Sequence, residues 1–306
     1  MPVNDSPTFI GEAPLAPWWL APVAWPLAGL YGATMAARMA AYRRGWLASF
    51  RPEVPVVSVG NLTVGGSGKT PFTDYLLGEA VRAGMRPACL TRGYGRTGRS
   101  RVARVRGADG VPADPQAIGD EPTLLTMRHP NVPLYIGADR AASARLAAII
   151  DHPNLLVLDD GYQHVRLARD LNILLVDAQR GFGNGRLLPR GPLREPLSAI
   201  ARADVVVISK ANLGDADRVR REVEALAPGK PVFRCDYVPN RLRRLDGQAE
   251  RPVTVLASAR VSLVCGIAQP AGCARAVMAQ GATVGNQVDF PDHHAFSAAE
   301  LGALDA

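Results

Sequence analysis

The segment from Val54 to Pro71 constrains the fold of this chain more than any other. A β-branched run, Val54 to Val59, leads into a glycine-rich turn that ends in Gly68-Lys69-Thr70 and passes directly into a helical pattern. Strand, glycine loop and helix N-terminus together make a phosphate cradle, because backbone N–H groups point inward and the helix dipole favours an anion. In this reading Thr63, Val64, Gly65, Gly66, Ser67, Gly68, Lys69 and Thr70 line the phosphates. Lys69 reaches the β- and γ-phosphates, and Thr70 ligates Mg²⁺. The pattern departs from the strict phosphate loop at its first position, where Thr63 stands in place of glycine. Gly65 and Gly66 can supply the positive-φ positions instead. The plain alternative is a tight strand-to-helix turn with an incidental lysine.

A chain of 306 residues with 47% hydrophobic content is long and apolar enough for one large α/β unit or two lobes, and is not disordered. The net charge of +7 points to an anionic partner such as a nucleotide, a phosphorylated substrate, a phospholipid headgroup or nucleic acid. Arginine far outnumbers lysine, so a generally basic composition is the plainer account. Cys89, Cys235, Cys265 and Cys273 form no C-x-x-C pair and no cluster with histidine. That spacing argues against structural zinc and a disulfide framework, and fits a reducing compartment.

Residues Ala13 to Ala37 carry no charged side chain but hold Trp18, Trp19, Trp25 and Tyr31, with Arg38, Arg43, Arg44 and Arg51 following. The length would allow a span. Pro14, Pro17, Pro22 and Pro26 argue against a regular helix before about Leu27. Aromatic residues beside a basic flank read as an interfacial anchor on anionic lipid, monotopic rather than spanning. A buried apolar helix packed on the body is the alternative.

Beyond the loop, Phe72 to Ala83 reads as a helix with Pro71 in its first turn. Arg86 to Thr91 reads as a strand, followed by the basic stretch Arg92 to Arg106. Ala138 to Ile150 reads as a helix. Leu155 to Leu158, Leu171 to Val176 and Val205 to Ile208 read as apolar strands ending in Asp159-Asp160, Asp177 and Ser209-Lys210. Short apolar strands alternating with helices predict a parallel sheet with helices on both faces, and ligands at the carboxyl ends of its strands. From about Val232 the texture changes. Phe233 to Val238 and Val253 to Leu256 read as strands, Arg260 to Gly266 as an apolar run, and Gly272 to Ala279 as a helix. The expected division is a membrane-contacting segment over 1–50, a P-loop lobe over 51–235 and a smaller, apparently truncated α/β lobe over 236–306.

Four clusters carry chemistry. Leu155 to Asp160 has the form of a Walker B strand, whose carboxylate can hold Mg²⁺ opposite Thr70. Gln163 and His164 follow at once and could touch metal, water or phosphate; a structural role for His164 is the alternative. Asp120 and Glu121, between Gly119 and Pro122, read as a rigid loop suited to a general base, or as a helix cap. Pro291-Asp-His-His294 could supply a histidine that orients a catalytic carboxylate, or could be a surface turn.

Seven motifs occur in order: the loop at 59–71, Thr-Arg-Gly-Tyr-Gly at 91–95, Gly-Asp-Glu-Pro at 119–122, Asp-Asp-Gly-Tyr-Gln-His at 159–164, Phe-Gly-Asn-Gly at 182–185, Leu-Pro-Arg-Gly-Pro-Leu-Arg-Glu at 188–195, and Pro-Asp-His-His at 291–294. Together they resemble the tetraacyldisaccharide 4'-kinase family of Gram-negative bacteria, from about residue 10 onward. The resemblance covers the threonine at 63, since the family has its own form of the loop. It implies a kinase on the cytoplasmic face of the inner membrane. That kinase transfers the γ-phosphate of ATP, with Mg²⁺, to the 4'-hydroxyl of a tetraacylated disaccharide 1-phosphate. It also implies Asp120 as catalytic base with His293 as its partner. Asp160 and Gln163 would serve Mg²⁺. Tyr94, Glu121, Arg140, Asp159, His164, Arg194 and Glu195 would lie near substrate or phosphate. Family members usually continue into a strand bearing Thr-Glu-Lys-Asp, and no such motif follows His294 here.

The competing class is a P-loop GTPase-like switch or metallochaperone, since Val205 to Lys210 loosely matches the strand and lysine that read guanine. The aspartate expected after that lysine is absent: Ala211-Asn212 follows. A nucleic-acid partner is not expected, because no aromatic interleaving or binding module accompanies the basic residues. The expected partners are the lipid A disaccharide precursor and an anionic membrane surface, with no obligate protein partner.

Overall fold

The computed structural model describes residues 21–93, 101–110, 117–244, 249–267, 270–291, 294, 296–297, 300 and 302. Two compact units divide between Asp236 and Tyr237.

The first unit opens with helix α1 (Ala21–Arg43). The helix starts well before Leu27, correcting the expectation drawn from its prolines. Pro22 lies in the first turn, where a missing N–H costs nothing, and Pro26 removes one intrahelical bond. Packing offsets that loss. Ala24 and Ala28 are buried, and a Cβ on Gly32 would come within 2.8 Å of Leu187, so a stripe of small residues seats the helix on the segment around Leu187. Val23, Leu27 and Leu30, spaced along another face, stay exposed. Among the described residues no helix is long and apolar enough to cross a membrane.

Next come β1 (Val56–Asn61), α2 (Lys69–Arg82), β2 (Pro87–Thr91), β3 (Ala103–Val105), α3 (Asp120–Arg128), β4 (Leu134–Ile136), α4 (Arg140–Ile150), β5 (Leu155–Leu158), β6 (Leu171–Asp177), β7 (Val205–Ser209), α5 (Ala216–Leu226) and β8 (Val232–Cys235). They form an eight-stranded sheet in the order β3-β4-β2-β5-β1-β6-β7-β8. Every pairing is parallel except that of the edge strand β3 with β4. Successive side chains of one strand enter opposite cores. Leu155 and Val157 pack with Leu77 of α2 and Leu125 of α3, whereas Leu156 and Leu158 pack with Ala144 and Ala147 of α4. Likewise Ile173 and Leu175 meet Phe72 of α2, while Leu174 and Val176 meet Val219 and Val223 of α5. Coverage on both faces is why these strands read as unbroken apolar runs. β1 lies centrally, with β5 on one side and β6 on the other, so its carboxyl end is flanked by two more acidic strand ends.

The second unit contains an antiparallel pair, β9 (Arg241–Arg243) with β10 (Glu250–Pro252), and a parallel pair, β11 (Arg260–Cys265) with β12 (Thr283–Asp289), on which α6 (Pro270–Met278) packs. The strand expected over 253–256 is instead a 3₁₀ turn, Val253–Leu256. Val253 and Leu256 share one face at the three-residue period of such a turn, and both pack against Ala282.

Candidate active site

The phosphate loop lies between β1 and α2. Its first half is clamped from outside. Thr63 forms an isolated antiparallel bridge with Leu193, the Val64 amide donates to the Pro192 carbonyl at 2.8 Å, and the Arg194 amide donates to the Leu62 carbonyl at 2.7 Å. Thr63 is therefore extended backbone, which any residue adopts, and this is why the glycine of the strict pattern can be missing. The positive φ angles fall at Gly65 (+102°) and Gly68 (+77°), the latter turning the chain into α2.

Lys69 Nζ lies 3.3 Å from Asn61 Oδ1 and 3.6 Å from Asp160 Oδ1. Arg194 Nη1 donates to both oxygens of Asp160 at 3.0 Å. Burial alone would raise the Asp160 carboxyl, but Lys69 and Arg194 outweigh it and hold the group below its ordinary value. Gln163 Nε2 donates to the Asn61 carbonyl at 2.9 Å, tying the residues after β5 to the end of β1. Thr70 is buried in the first turn of α2.

Asp159 plays a different part from Asp160. Its oxygens accept from Thr73 Oγ1 at 2.9 Å and from Thr91 Oγ1 at 3.2 Å, so it joins β5 to α2 and β2. Burial, reinforced by the negative charges of Glu121 and Asp160, pushes its carboxyl up to about 6. The backbone separates the two acids: Asp160 has φ +48°, a left-handed turn that aims the second carboxylate back toward the loop.

Arg140, capped into α4 by Asp139, is 2% exposed. Its Nη1 donates to the Gly137 carbonyl, while Nε and Nη2 have no protein partner. Burial pushes it down to about 10, still fully charged at neutral pH. His164 is pushed down to about 4 by burial and then by Arg140, so it is neutral near pH 7. Glu195 sits in a buried ion pair, accepting from Arg202 Nη2 at 2.6 Å, and the carbonyl of the preceding Arg194 accepts from the Tyr31 hydroxyl of α1 at 2.7 Å.

Asp120 and Glu121 are the first two residues of α3, after Gly119 at φ +99°, and both are exposed. Of the two readings of this segment, a rigid loop or a helix cap, the structure shows the helix N-terminus, with Gly119 rather than Asp120 at the cap position and Pro122 in the first turn where its missing N–H is tolerated. Tyr94 and His293 lie outside the described residues.

Thr73 and Asn61 escaped sequence reasoning, whereas Ser209 and Lys210 were expected at the carboxyl end of their strand, without the contacts they make. Thr73, one turn after Thr70, carries the buried bond to Asp159. Asn61, the last residue of β1, receives Lys69. Ser209 Oγ donates to the Ser67 carbonyl at 2.8 Å, and Lys210 Nζ donates to the Gly66 carbonyl at 2.6 Å and to Asp177 Oδ2 at 2.7 Å. The period of α2 could have exposed Thr73, and the strand-end position of Ser209 and Lys210 puts them at this edge; nothing local marks Asn61.

The donor set suits Mg²⁺. Among the described residues no group of three or more His, Cys, Asp and Glu could hold a metal by itself. Mg²⁺ asks for less, because it takes one or two carboxylates and completes its shell with phosphate oxygens and water. Asp160, ionised, and the Thr70 hydroxyl fit that role.

A largely parallel sheet carrying a phosphate loop, with an ionised carboxylate on the neighbouring strand end, defines a P-loop nucleotide-binding protein. A model of the family described as LpxK, tetraacyldisaccharide-1-P 4'-kinase, matches residues 20–306. The chain belongs to that family, which sets aside the GTPase-like alternative. It is 40% identical over 288 residues to a tetraacyldisaccharide 4'-kinase of Chromobacterium violaceum, covering 93% of this chain and 80% of the relative. With one from Anaeromyxobacter dehalogenans it shares 42% over 278 residues, covering 90% and 73%. A crystal structure of LpxK from Aquifex aeolicus in complex with ATP superposes with a TM-score of 0.74 at 32% identity, covering 90% of this chain and 82% of that one.

Proposed function

We propose that this chain transfers the γ-phosphate of ATP to the 4'-hydroxyl of tetraacyldisaccharide 1-phosphate in lipid A biosynthesis, using the residues gathered at the carboxyl ends of β1 and β5. The observation that carries this reading is the contact network joining Lys69, Asn61, Asp160 and Arg194 around the loop, in a chain of this kinase family. The loop amides and Lys69 bind the triphosphate. Thr70 and Asp160, with Gln163 beside them, would hold Mg²⁺, which when bound neutralises charge on the phosphates.

Asp120 takes the proton of the sugar hydroxyl as the oxygen attacks the γ-phosphorus. The bond from that phosphorus to the β–γ bridging oxygen breaks, and ADP leaves with the electron pair. His293 orients Asp120. The unpartnered Nε and Nη2 of buried Arg140 suit an anionic group of donor or acceptor. Glu121, Asp159, His164, Arg194, Glu195 and Tyr94 support this region, Arg194 by holding Asp160 and Asp159 by holding α2. Positioning and electrostatics supply most of the acceleration.

Residues 1–50 serve as a membrane-contacting segment, 51–235 as the P-loop lobe and 236–306 as a smaller C-terminal lobe. The exposed face of Val23, Leu27 and Leu30, with Trp25 at 60% exposure and Trp46 at 73%, supports shallow insertion at a bilayer surface. Arg43 and Arg44 at the end of α1 would meet anionic headgroups. ATP supply places this surface on the cytoplasmic face of the inner membrane.

The test is transfer of ³²P from γ-labelled ATP to tetraacyldisaccharide 1-phosphate in detergent micelles, with and without Mg²⁺. Mg²⁺-dependent labelled lipid is the expected result. Labelled inorganic phosphate alone, with no labelled lipid, would refute the assignment.

A further inference from the structure

Gly65 and Gly66 of the phosphate loop are each approached by a cation from beyond the loop. At Gly66 it is Lys210, whose ammonium is used on the Gly66 carbonyl and on Asp177 and so holds the loop in shape. At Gly65 it is Arg180. A Cβ built on Gly65 would lie 2.8 Å from Arg180 Nη1, so the guanidinium occupies the space that any side chain at position 65 would take.

The turn that carries Arg180 is rigid and shares its anchor with the loop. The Gly181 amide donates to the Asp177 carbonyl at 2.7 Å, and the Gly183 amide donates to the Arg180 carbonyl at 3.0 Å. Asp177 Oδ1 accepts from the Gln179 amide at 2.8 Å, while Oδ2 takes the same Lys210 that grips Gly66. Gln179 Nε2 donates to the Leu213 carbonyl at 3.2 Å, fixing the turn to the segment that follows β7. The backbone of Arg180 is therefore fixed beside the loop, and its guanidinium lies against Gly65 before any ligand arrives, the preorganisation that electrostatic catalysis requires.

In a phosphate loop the helix-proximal amides take the α- and β-phosphates, and the lysine reaches the β- and γ-phosphates. The earlier glycines then border the γ end. A planar guanidinium fixed there can donate to the equatorial oxygens of a phosphoryl group in transfer, where charge spreads as the bond to the leaving oxygen lengthens. We propose that Arg180 is a catalytic residue, an arginine supplied by the chain itself that contacts the transferring γ-phosphoryl group. This rests on the kinase reading above. It also assigns a purpose to glycine at position 65 beyond its φ of +102°, namely leaving room for the guanidinium.

The test uses the full chain with Arg180→Ala and Arg180→Lys, the second keeping charge and stem but losing the planar fork. Three quantities are read: kcat for ³²P transfer, affinity for ADP, and the slowing of ADP release when aluminium fluoride is added with Mg²⁺ and the lipid acceptor to mimic the phosphoryl in transfer. An arginine in this role typically contributes about 10³-fold or more. The expected result is a kcat lower by about 10³-fold for alanine and at least about 10-fold for lysine, with ADP affinity within about threefold of wild type and the aluminium fluoride effect lost. A kcat within about threefold of wild type in both variants would overturn the proposal. So would a fall in ADP affinity matching the fall in kcat, because Arg180 would then serve ground-state binding or the scaffold. Circular dichroism checks folding, and the lysine variant keeps the test decisive if alanine unfolds. Absence of transfer by the wild-type chain would instead overturn the kinase reading itself, so the two failures are distinct.

Discussion

Replacing Asp159 by asparagine should stabilise the protein at neutral pH, with a gain that disappears in acid. Asp159 is 1% exposed and accepts from two threonine hydroxyls. Burial, then the charges of Glu121 and Asp160, lift its carboxyl from 3.8 to about 6. The folded-state value lies above the unfolded one, so between about pH 4 and pH 6 the folded chain binds the proton more tightly. Stability from this group is present at low pH and lost as pH rises through that window. A shift of about two units, at 1.36 kcal/mol each, corresponds to about 3 kcal/mol lost by pH 7. Asparagine is nearly isosteric and never ionises. Its carbonyl accepts from one threonine, and its amide donates to the other once that hydroxyl rotates. The variant should gain about 1–3 kcal/mol at pH 7.5, or roughly 2–10 °C in Tm for a chain of this size, and the gain should vanish near pH 4. Urea midpoints of both proteins, measured without nucleotide or metal from pH 4 to pH 8, give the difference curve. A variant less stable at pH 7.5, or a difference that does not change with pH, would refute the reasoning.

Three further outcomes can be checked. Asp120→Asn should lower kcat by about 10²–10⁴-fold, with ATP affinity nearly unchanged, since a general base acts on the acceptor and not on the nucleotide; steady-state kinetics decide it, and near-normal turnover would remove Asp120 as base. Gly60→Ala should cost at least about 2 kcal/mol, because its Cβ would lie 2.6 Å from the Tyr162 backbone nitrogen, where neither chain can yield; a urea midpoint at the wild-type value would contradict this. Changing exposed Val23, Leu27 and Leu30 together to serine should reduce binding to anionic vesicles by about 10²-fold at about 1 kcal/mol per side chain, leaving thermal stability within a few degrees; vesicle co-sedimentation reads the first and a melting curve the second.

The chain's own order of residues determined the sheet and its phosphate loop. β1, β5, β6 and β7 are legible because both faces of each are buried, which demands apolar side chains at successive positions, and because the loop's glycines and Lys69-Thr70 are contiguous. Local chemistry of that kind survives in one dimension. The division between Asp159 and Asp160 does not. Two adjacent carboxylates look alike until the φ of +48° at Asp160 sends one to the threonines and the other to Lys69 and Arg194. The early start of α1 was hidden for a similar reason: its prolines disfavour a helix locally, and only the seat offered around Leu187 to Ala24, Ala28 and Gly32 outweighs that preference. Lys210 could be placed at the sheet's carboxyl edge from the end of its strand, but its grip on Gly66 could not, and no spacing rule links Arg180 to Gly65. Their place depends on β6 and β7 closing beside β1, a long-range pairing whose free energy comes from the buried cores on both faces of the sheet.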